Sequence, residues 1–419
     1  MTDLRADGIR PYNRIRDWNI GAALAAALLI YEESSMRQKK QIPWKTVGLT
    51  LLAALVGGVV GYWGMCQVDA LGLPGLLVLL FLLVLAYVLQ IVVHEGGHLV
   101  CGLLTGYRAL SFRIGRVLLV KLDGRWKLRA YHIPGTGGQC LMAPPAQERP
   151  PYRLYHLGGG LANLLLSALA LPVFLLTGAP LLRVFAGALV LIGGWTAGTN
   201  LIPMKMGGVA NDGYNARNLG KDPLALQCSC VQLWIVEALQ EGYSLADMPE
   251  EWFALPPKAD LQNVLIMGTA IQRASRLMAR GELEEADQAI RALLRGGHEL
   301  LGLHRLELTC EAIYCALVLG RVREAERLFT PEVRRYCRQT RKYCPGRVRQ
   351  AYAWALLAER DVEKARDLRA EFEQAAARYP YSGELAGERN LMDRADQAFR
   401  ASSVQDGRAE PPAQKVEKI

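Results

Sequence analysis

The chain lacks any CxxC pair, and its nine cysteines are odd in number. That excludes a disulfide framework and reads as reduced thiols in a cytosolic or membrane setting. Cys228-Ser229-Cys230 is a lone CxC, weak as a metal motif. The basic residues form no stripe interleaved with aromatics, so the net charge of +9 does not point to nucleic acid. Beside long apolar runs it reads as cytoplasmic-side Lys and Arg. An ordinary signal peptide is also missing: Met1–Asp17 is long and mixed in charge, and Trp18–Tyr31 is too short to span a bilayer. The latter reads as an interfacial or packed helix, which leaves the earliest span as the targeting signal. Long apolar runs are confined to the part before Asn200, and charge is concentrated after it.

With 419 residues, 51% hydrophobic and 21% charged, the chain has room for a membrane half and a soluble half. Four segments are long and apolar enough to cross a bilayer, at about 20 helical residues each: Thr46–Cys66, Leu71–Leu104, Leu157–Thr177 and Leu181–Ile202. The short turns Gln67–Ala70 and Gly178–Pro180 carry no Lys or Arg. The N-terminal segment is basic (Arg10, Arg14, Arg37, Lys45), and so is the loop between the second and third spans (Arg108, Arg113, Lys121, Arg129). The bias predicts a multi-pass protein of the cell membrane with both termini and the long middle loop cytoplasmic.

The expected fold is an all-α polytopic membrane protein of about four transmembrane helices, with a small β-hairpin insertion and a soluble α-helical repeat domain. The hairpin lies in the loop 105–156, where Val117–Leu122 and Trp126–Tyr131 flank the turn signal Asp123-Gly124, and a third short strand is expected at Gly138–Met142. After Tyr214 the chain reads as soluble and helical. Gly281-Glu282-Leu283-Glu284-Glu285-Ala286, Gly320-Arg321-Val322-Arg323-Glu324-Ala325 and Arg360-Asp361-Val362-Glu363-Lys364-Ala365 align with their alanines 39 and 40 residues apart. This spacing resembles tetratricopeptide-like helical hairpins. The expected organisation is a cytosolic or interfacial segment 1–45, a membrane domain 46–216, a cytosolic repeat domain 217–402 and a flexible tail 403–419.

Chemistry is concentrated in His94-Glu95-Gly96-Gly97-His98, an HExxH motif inside the second apolar run. Residues i and i+4 share a helix face, so both imidazoles reach one metal ion, with Glu95 beside them as a general base. A zinc centre needs a third protein ligand and one open position. Asp212, just past the fourth span on the same predicted side, is the best candidate. Asp123 also precedes a glycine, but the hairpin explains it better.

His94-Glu95-Gly96-Gly97-His98 on one span, Gly158-Gly159-Gly160-Leu161-Ala162-Asn163 on the next, and Asn200-Leu201-Ile202-Pro203 leading to Asp212-Gly213 together resemble the site-2 protease family of intramembrane zinc metalloproteases. The resemblance covers about a third of the chain, roughly Leu71–Asn215. It implies one zinc ion per chain held by His94, His98 and Asp212, with Glu95 as the catalytic base. It places Asn163 and Asn200 near the site, where amides orient substrate or stabilise the oxyanion. One departure stands out: Met204–Asn211 makes the connection from proline to aspartate longer than the family pattern. Gly207-Gly208 is expected to let the extra residues loop out and return Asp212 to the metal.

The implied substrate is a membrane-anchored protein or peptide cleaved in or near its transmembrane helix, within the lipid bilayer. The repeat domain would recruit substrate or a cytosolic regulator. The alternative is an inactive, protease-like scaffold that binds membrane helices and partners. A transporter is disfavoured because the spans show no internal duplication. Bland readings stand beside these. Asn163 and Asn200 would serve as interhelical glue, Gly96 and Gly97 as packing glycines, and His132 and His156 as surface histidines.

Overall fold

The computed structural model describes residues 57–59, 61–66, 72–122, 124–131, 137–206, 209–296, 300, 302–342, 344–377, 379, 381 and 383–405. Of the expected first span, Thr46–Cys66, residues 57–59 and 61–66 are described and helical, and the rest lies outside the described residues. The contacts divide the chain into two units. One contains Tyr31–Leu119 and Gly135–Cys230, the other Val120–Pro134 and Val231–Ile419.

The first unit is built on three helices, α1 (Gly72–Leu104), α2 (Tyr152–Leu176) and α3 (Pro180–Leu201). Among the described residues these are the helices long and apolar enough to cross a membrane. Their outward faces are lined with exposed large apolar side chains: Leu73 is 70% exposed, Phe81 64%, Leu165 62% and Leu176 83%. An apolar surface of that extent suits lipid and not water. At 33 residues, α1 is roughly 50 Å long, more than a hydrocarbon core of about 30 Å requires. Inward faces carry small residues, among them Ala86, Ala170 and Ala188, so the helices pack closely.

One boundary differs from expectation. Helix α2 begins at Tyr152 behind Pro151, five residues before the apolar run starts. Proline disfavours helix in the residue before it, so Pro151 sets the start. Tyr155 and His156 therefore belong to the first turns of the helix.

The middle loop is more than a hairpin. It forms a four-stranded antiparallel sheet, order β3-β2-β1-β4, from β1 (Arg108–Ile114), β2 (Val117–Leu122), β3 (Arg125–Ala130) and β4 (Gly138–Ala143). The expected hairpin and third strand correspond to β2, β3 and β4. Strand β1 escaped the sequence reading because it buries Ser111 and Arg113, polar residues at core positions. It pairs with β4 in the register Phe112↔Cys140 and Ile114↔Gly138. Gly124, between β2 and β3, has φ of +74°, as a tight hairpin turn requires. Its neighbour Asp123 lies outside the described residues.

After α3 come a two-stranded ladder, β5 (Lys205–Met206) with β6 (Val209–Ala210), and the short helix α4 (Asp212–Asn218). Helix α5 (Pro223–Gln240) spans the boundary between the units, at Cys230/Val231.

The second unit continues as α6 (Val264–Arg280), α7 (Leu283–Arg295), α8 (Gly302–Val318), α9 (Val322–Leu328), α10 (Pro331–Thr340), α11 (Pro345–Leu357), α12 (Val362–Ala376) and α13 (Glu384–Gln405). The three aligned segments fall at equivalent places. Gly281, Gly320 and Arg360 each end a helix with positive φ (+77°, +74°, +59°) and turn the chain into the next. Their alanines Ala286, Ala325 and Ala365 are 0%, 0% and 2% exposed. Each motif thus marks the same joint of a helix pair: α6 with α7, α8 with α9, α11 with α12. The core also contains a buried ionic network. Arg349 donates to Glu311 and Glu388, both at 2.8 Å, tying α8, α11 and α13 together. Removing one partner of such a network strands the others and costs about 3–5 kcal/mol.

Gly320 has open space where a Cβ would stand, so only its left-handed backbone restricts it. Gly320→Ala is expected to destabilise the helical unit by about 1 kcal/mol. A lowered unfolding midpoint in a denaturant titration followed by circular dichroism checks this.

Candidate metal centre

Helix α1 brings His94, Glu95 and His98 to one level, with Glu95 and His98 only 8% and 7% exposed. The Nε2 atoms of the two imidazoles are 3.1 Å apart. Asp212 Oδ2 lies 3.5 Å from the Nε2 of His94 and 3.4 Å from that of His98. The three ligand atoms therefore sit on a small triangle. Bonds of about 2.0–2.2 Å at tetrahedral angles place ligand atoms about 3.3–3.5 Å apart, so the triangle has the size a zinc ion requires. Two nitrogens and one carboxylate oxygen are also donor types such an ion takes.

The orientation of each ring is held from behind. His94 Nδ1 meets Asn163 Oδ1 at 2.7 Å, and His98 Nδ1 meets the Tyr155 carbonyl at 2.8 Å. Both oxygens only accept, so each Nδ1 is the donor, and in the neutral tautomer that this allows, each Nε2 turns its lone pair toward Asp212. Three electron-rich atoms facing one another form an arrangement that a cation stabilises. Asn163 is anchored in turn: its amide donates to the Gln90 carbonyl at 2.8 Å and to Gln90 Oε1 at 2.6 Å. Gln90 donates to the Leu189 carbonyl of α3 at 2.8 Å. A continuous hydrogen-bonded chain thus runs from α3 through α1 and α2 to His94.

Two glycines make room. A Cβ on Gly159 would lie 2.5 Å from His98 Nε2 and 2.7 Å from His94 Nε2, so the bare backbone of α2 closes the pocket wall. A Cβ on Gly138 would lie 2.6 Å from the Oε1 of Glu95, so the start of β4 rests against the carboxylate. Of the expected packing glycines, Gly97 does pack, against Gly158 of α2. Gly96 faces open space.

Asp212 reaches the site because the longer connection is folded. The residues after Pro203 pair as β5 and β6, and Gly207-Gly208, expected to let the extra residues loop out, lies outside the described residues. Asn211 locks the base of that hairpin. Its side chain donates to the carbonyls of Thr199 (2.7 Å) and Ile202 (2.6 Å) and accepts from Met204 N (3.1 Å) and Tyr214 N (2.9 Å). The last of these caps α4, which leaves Asp212 at the first helical position.

The structure therefore brings together His94, Glu95, His98, Asp212 and Asn163. Asn163 has its amide turned to His94 and Gln90. Asn200 donates back to the Thr196 carbonyl of its own helix at 2.8 Å. His132 lies outside the described residues. His156, read from sequence as a surface histidine, is instead half-buried beside Asp212, with its Nδ1 3.9 Å from Asp212 Oδ1. Gln90, Tyr155 and Asn211 were missed. A signal existed for two of them: Gln90 is a lone amide in an apolar run, one turn before His94, and Asn211 is an N-cap residue type immediately before an acidic helix start.

No family model, curated protein or solved structure matches the chain.

Gly159→Ala is expected to abolish metal binding by occupying the space between the imidazoles, while the helices remain folded. Asn163→Ala is expected to weaken metal affinity about 10–100-fold by freeing His94 to rotate. Isothermal titration of the detergent-solubilised protein with zinc measures both.

Proposed function

We propose that this protein is an intramembrane zinc metalloendopeptidase of the site-2 protease type. The observation that carries the reading is the convergence of His94, His98 and Asp212 at ligand spacing, beside the buried Glu95, on helices apolar enough to lie in a bilayer. The substrate is a membrane-anchored protein or peptide cleaved in or near its transmembrane helix. In this reading both termini are cytoplasmic, and the helix pairs of the second unit form a tetratricopeptide-like domain that recruits substrate or a regulator. The scaffold alternative drew on the lengthened Pro203–Asp212 connection, and the β5–β6 hairpin takes up that length.

His94, His98 and Asp212 would hold the zinc, which when bound would supply Lewis acidity toward the scissile carbonyl and the attacking water. Glu95 takes the proton from that water and passes it to the leaving amine. Buried against Gly138, Glu95 is shielded from bulk solvent, and its ionisable neighbours are His98, His94, Asp212 and Arg113.

A helical substrate must unwind to expose a carbonyl, because its peptide groups are already hydrogen-bonded. Strand β4 offers those groups new partners. Gly115 N donates to the Gly137 carbonyl at 2.8 Å, which turns alternate residues of β4 toward β1 and points the N–H groups of Gly138 and Cys140 to the other edge, their carbonyls accepting from Arg113 Nη2 (3.3 Å) and the Tyr155 hydroxyl (2.8 Å). A substrate strand added there would lie along the residue that touches Glu95.

Zinc analysis of the detergent-purified protein tests the reading. One zinc per chain is expected in the wild type and in Glu95→Gln, and none in His94→Ala or Asp212→Ala. A wild type without zinc after reconstitution would overturn the proposal. Against reporter fusions carrying single transmembrane helices, Glu95→Gln is expected to lose about 10²–10⁴-fold in rate. Cys140→Pro removes an N–H from the outer edge of β4 and is expected to reduce cleavage while zinc content stays at one. Unimpaired cleavage by that variant would rule out strand addition.

A further inference from the structure

The two oxygens of Asp212 have different neighbours. Oδ2 faces the His94 and His98 Nε2 atoms at 3.5 and 3.4 Å, and Oδ1 faces His156 Nδ1 at 3.9 Å. Each of the other two ligands has its rear atom held, His94 by Asn163 and His98 by the Tyr155 carbonyl. We infer that His156 is the positioning residue for Asp212, holding Oδ1 so that Oδ2 alone is presented to the metal. This rests on the metal-site reading above.

The placement of His156 is built in. It sits on α2 next to Tyr155, with ring centroids 5.1 Å apart, and packs against Tyr152 at 6.5 Å. Its side chain is 16% exposed. The Tyr152 hydroxyl accepts from Gly220 N at 3.0 Å, and a Cβ on Gly220 would lie 2.2 Å from that hydroxyl. This contact pins the start of α2 to the turn that follows α4. The elements carrying His156 and Asp212 are therefore fixed to each other on the far side of the pair. The 3.9 Å separation is longer than a hydrogen bond, so holding Oδ1 requires the pair to close by about 1 Å.

The consequence for the metal is specific. A carboxylate free at both oxygens can swing and ligate through either or both, which would fill the open fourth position. Held at Oδ1, it ligates through one oxygen and keeps that position open. Outer partners of this kind typically change metal affinity 10–100-fold.

The test uses the full-length protein in detergent, titrated with zinc against a chromogenic chelator and with cobalt(II) monitored by visible absorption. His156→Leu keeps the bulk and removes the donor. It is expected to weaken zinc binding about 10–100-fold and to shift and weaken the cobalt bands as coordination changes. His156→Asn places an amide N–H where Nδ1 stands and is expected to restore most of the affinity and the wild-type bands. Thermal melting in chelator should be the same for all forms. If leucine alters it, His156→Ala serves as the second donor-less variant. Unchanged affinity and bands in the donor-less variant would overturn the inference, as would an equal loss in leucine and asparagine variants. A wild type that binds neither zinc nor cobalt would overturn the metal reading itself, before any His156 variant is compared.

Discussion

Helices α1 and α2 touch backbone to backbone. A Cβ on Gly97 would lie 2.2 Å from the Gly158 carbonyl oxygen, and one on Gly158 would lie 2.4 Å from that of Gly97. No side chain fits there. This contact sets the distance between the helix carrying the imidazoles and the helix carrying Asn163, Tyr155 and His156. It places Gly159 against the two Nε2 atoms. Any wider spacing would pull Asn163 off His94 and the Tyr155 carbonyl off His98, and both rings would then be free to turn.

A bundle held so closely can carry polar groups at bilayer depth, because each finds a partner inside it. Gln90, Asn163 and Ser167 are 1%, 0% and 8% exposed. Ser167 donates to the Asn163 carbonyl at 2.8 Å, and Gln90 reaches the Leu189 carbonyl. Gly193 leaves the space, since a Cβ there would come within 2.2 Å of both Gln90 Nε2 and Ser167 Oγ. Interhelical hydrogen bonds in membranes contribute only about 0.6–2 kcal/mol each. Their larger role here is orientation: they fix which face of His94 points to Asp212.

Much of this was legible in the chain. The HExxH spacing and the apolar run around it were enough to put two imidazoles on one face of a buried helix, because helical periodicity is local. The recurrence of the segments starting at Gly281, Gly320 and Arg360 was legible in the same way, but not that each starts at a residue of positive φ. Contacts that depend on tertiary closure were not. Strand β1 hid behind Arg113 and Ser111, whose burial only the folded sheet explains. His156 read as a loop histidine because the apolar run begins after it, although Pro151 starts the helix earlier. Tyr155 acts through its carbonyl, and no side-chain pattern reports that.

The hairpin ahead of Asp212 has a further implication. Its two strands begin and end side by side, and Asn211 ties that junction to Thr199 and Ile202. The position of the aspartate is thus decoupled from the number of residues looped out before it. Insertions or deletions that keep Lys205 opposite Ala210 would leave the ligand where it is. In this chain, what fixes where Asp212 stands is the asparagine that closes the base of the loop, and not the residue count between the proline and the aspartate.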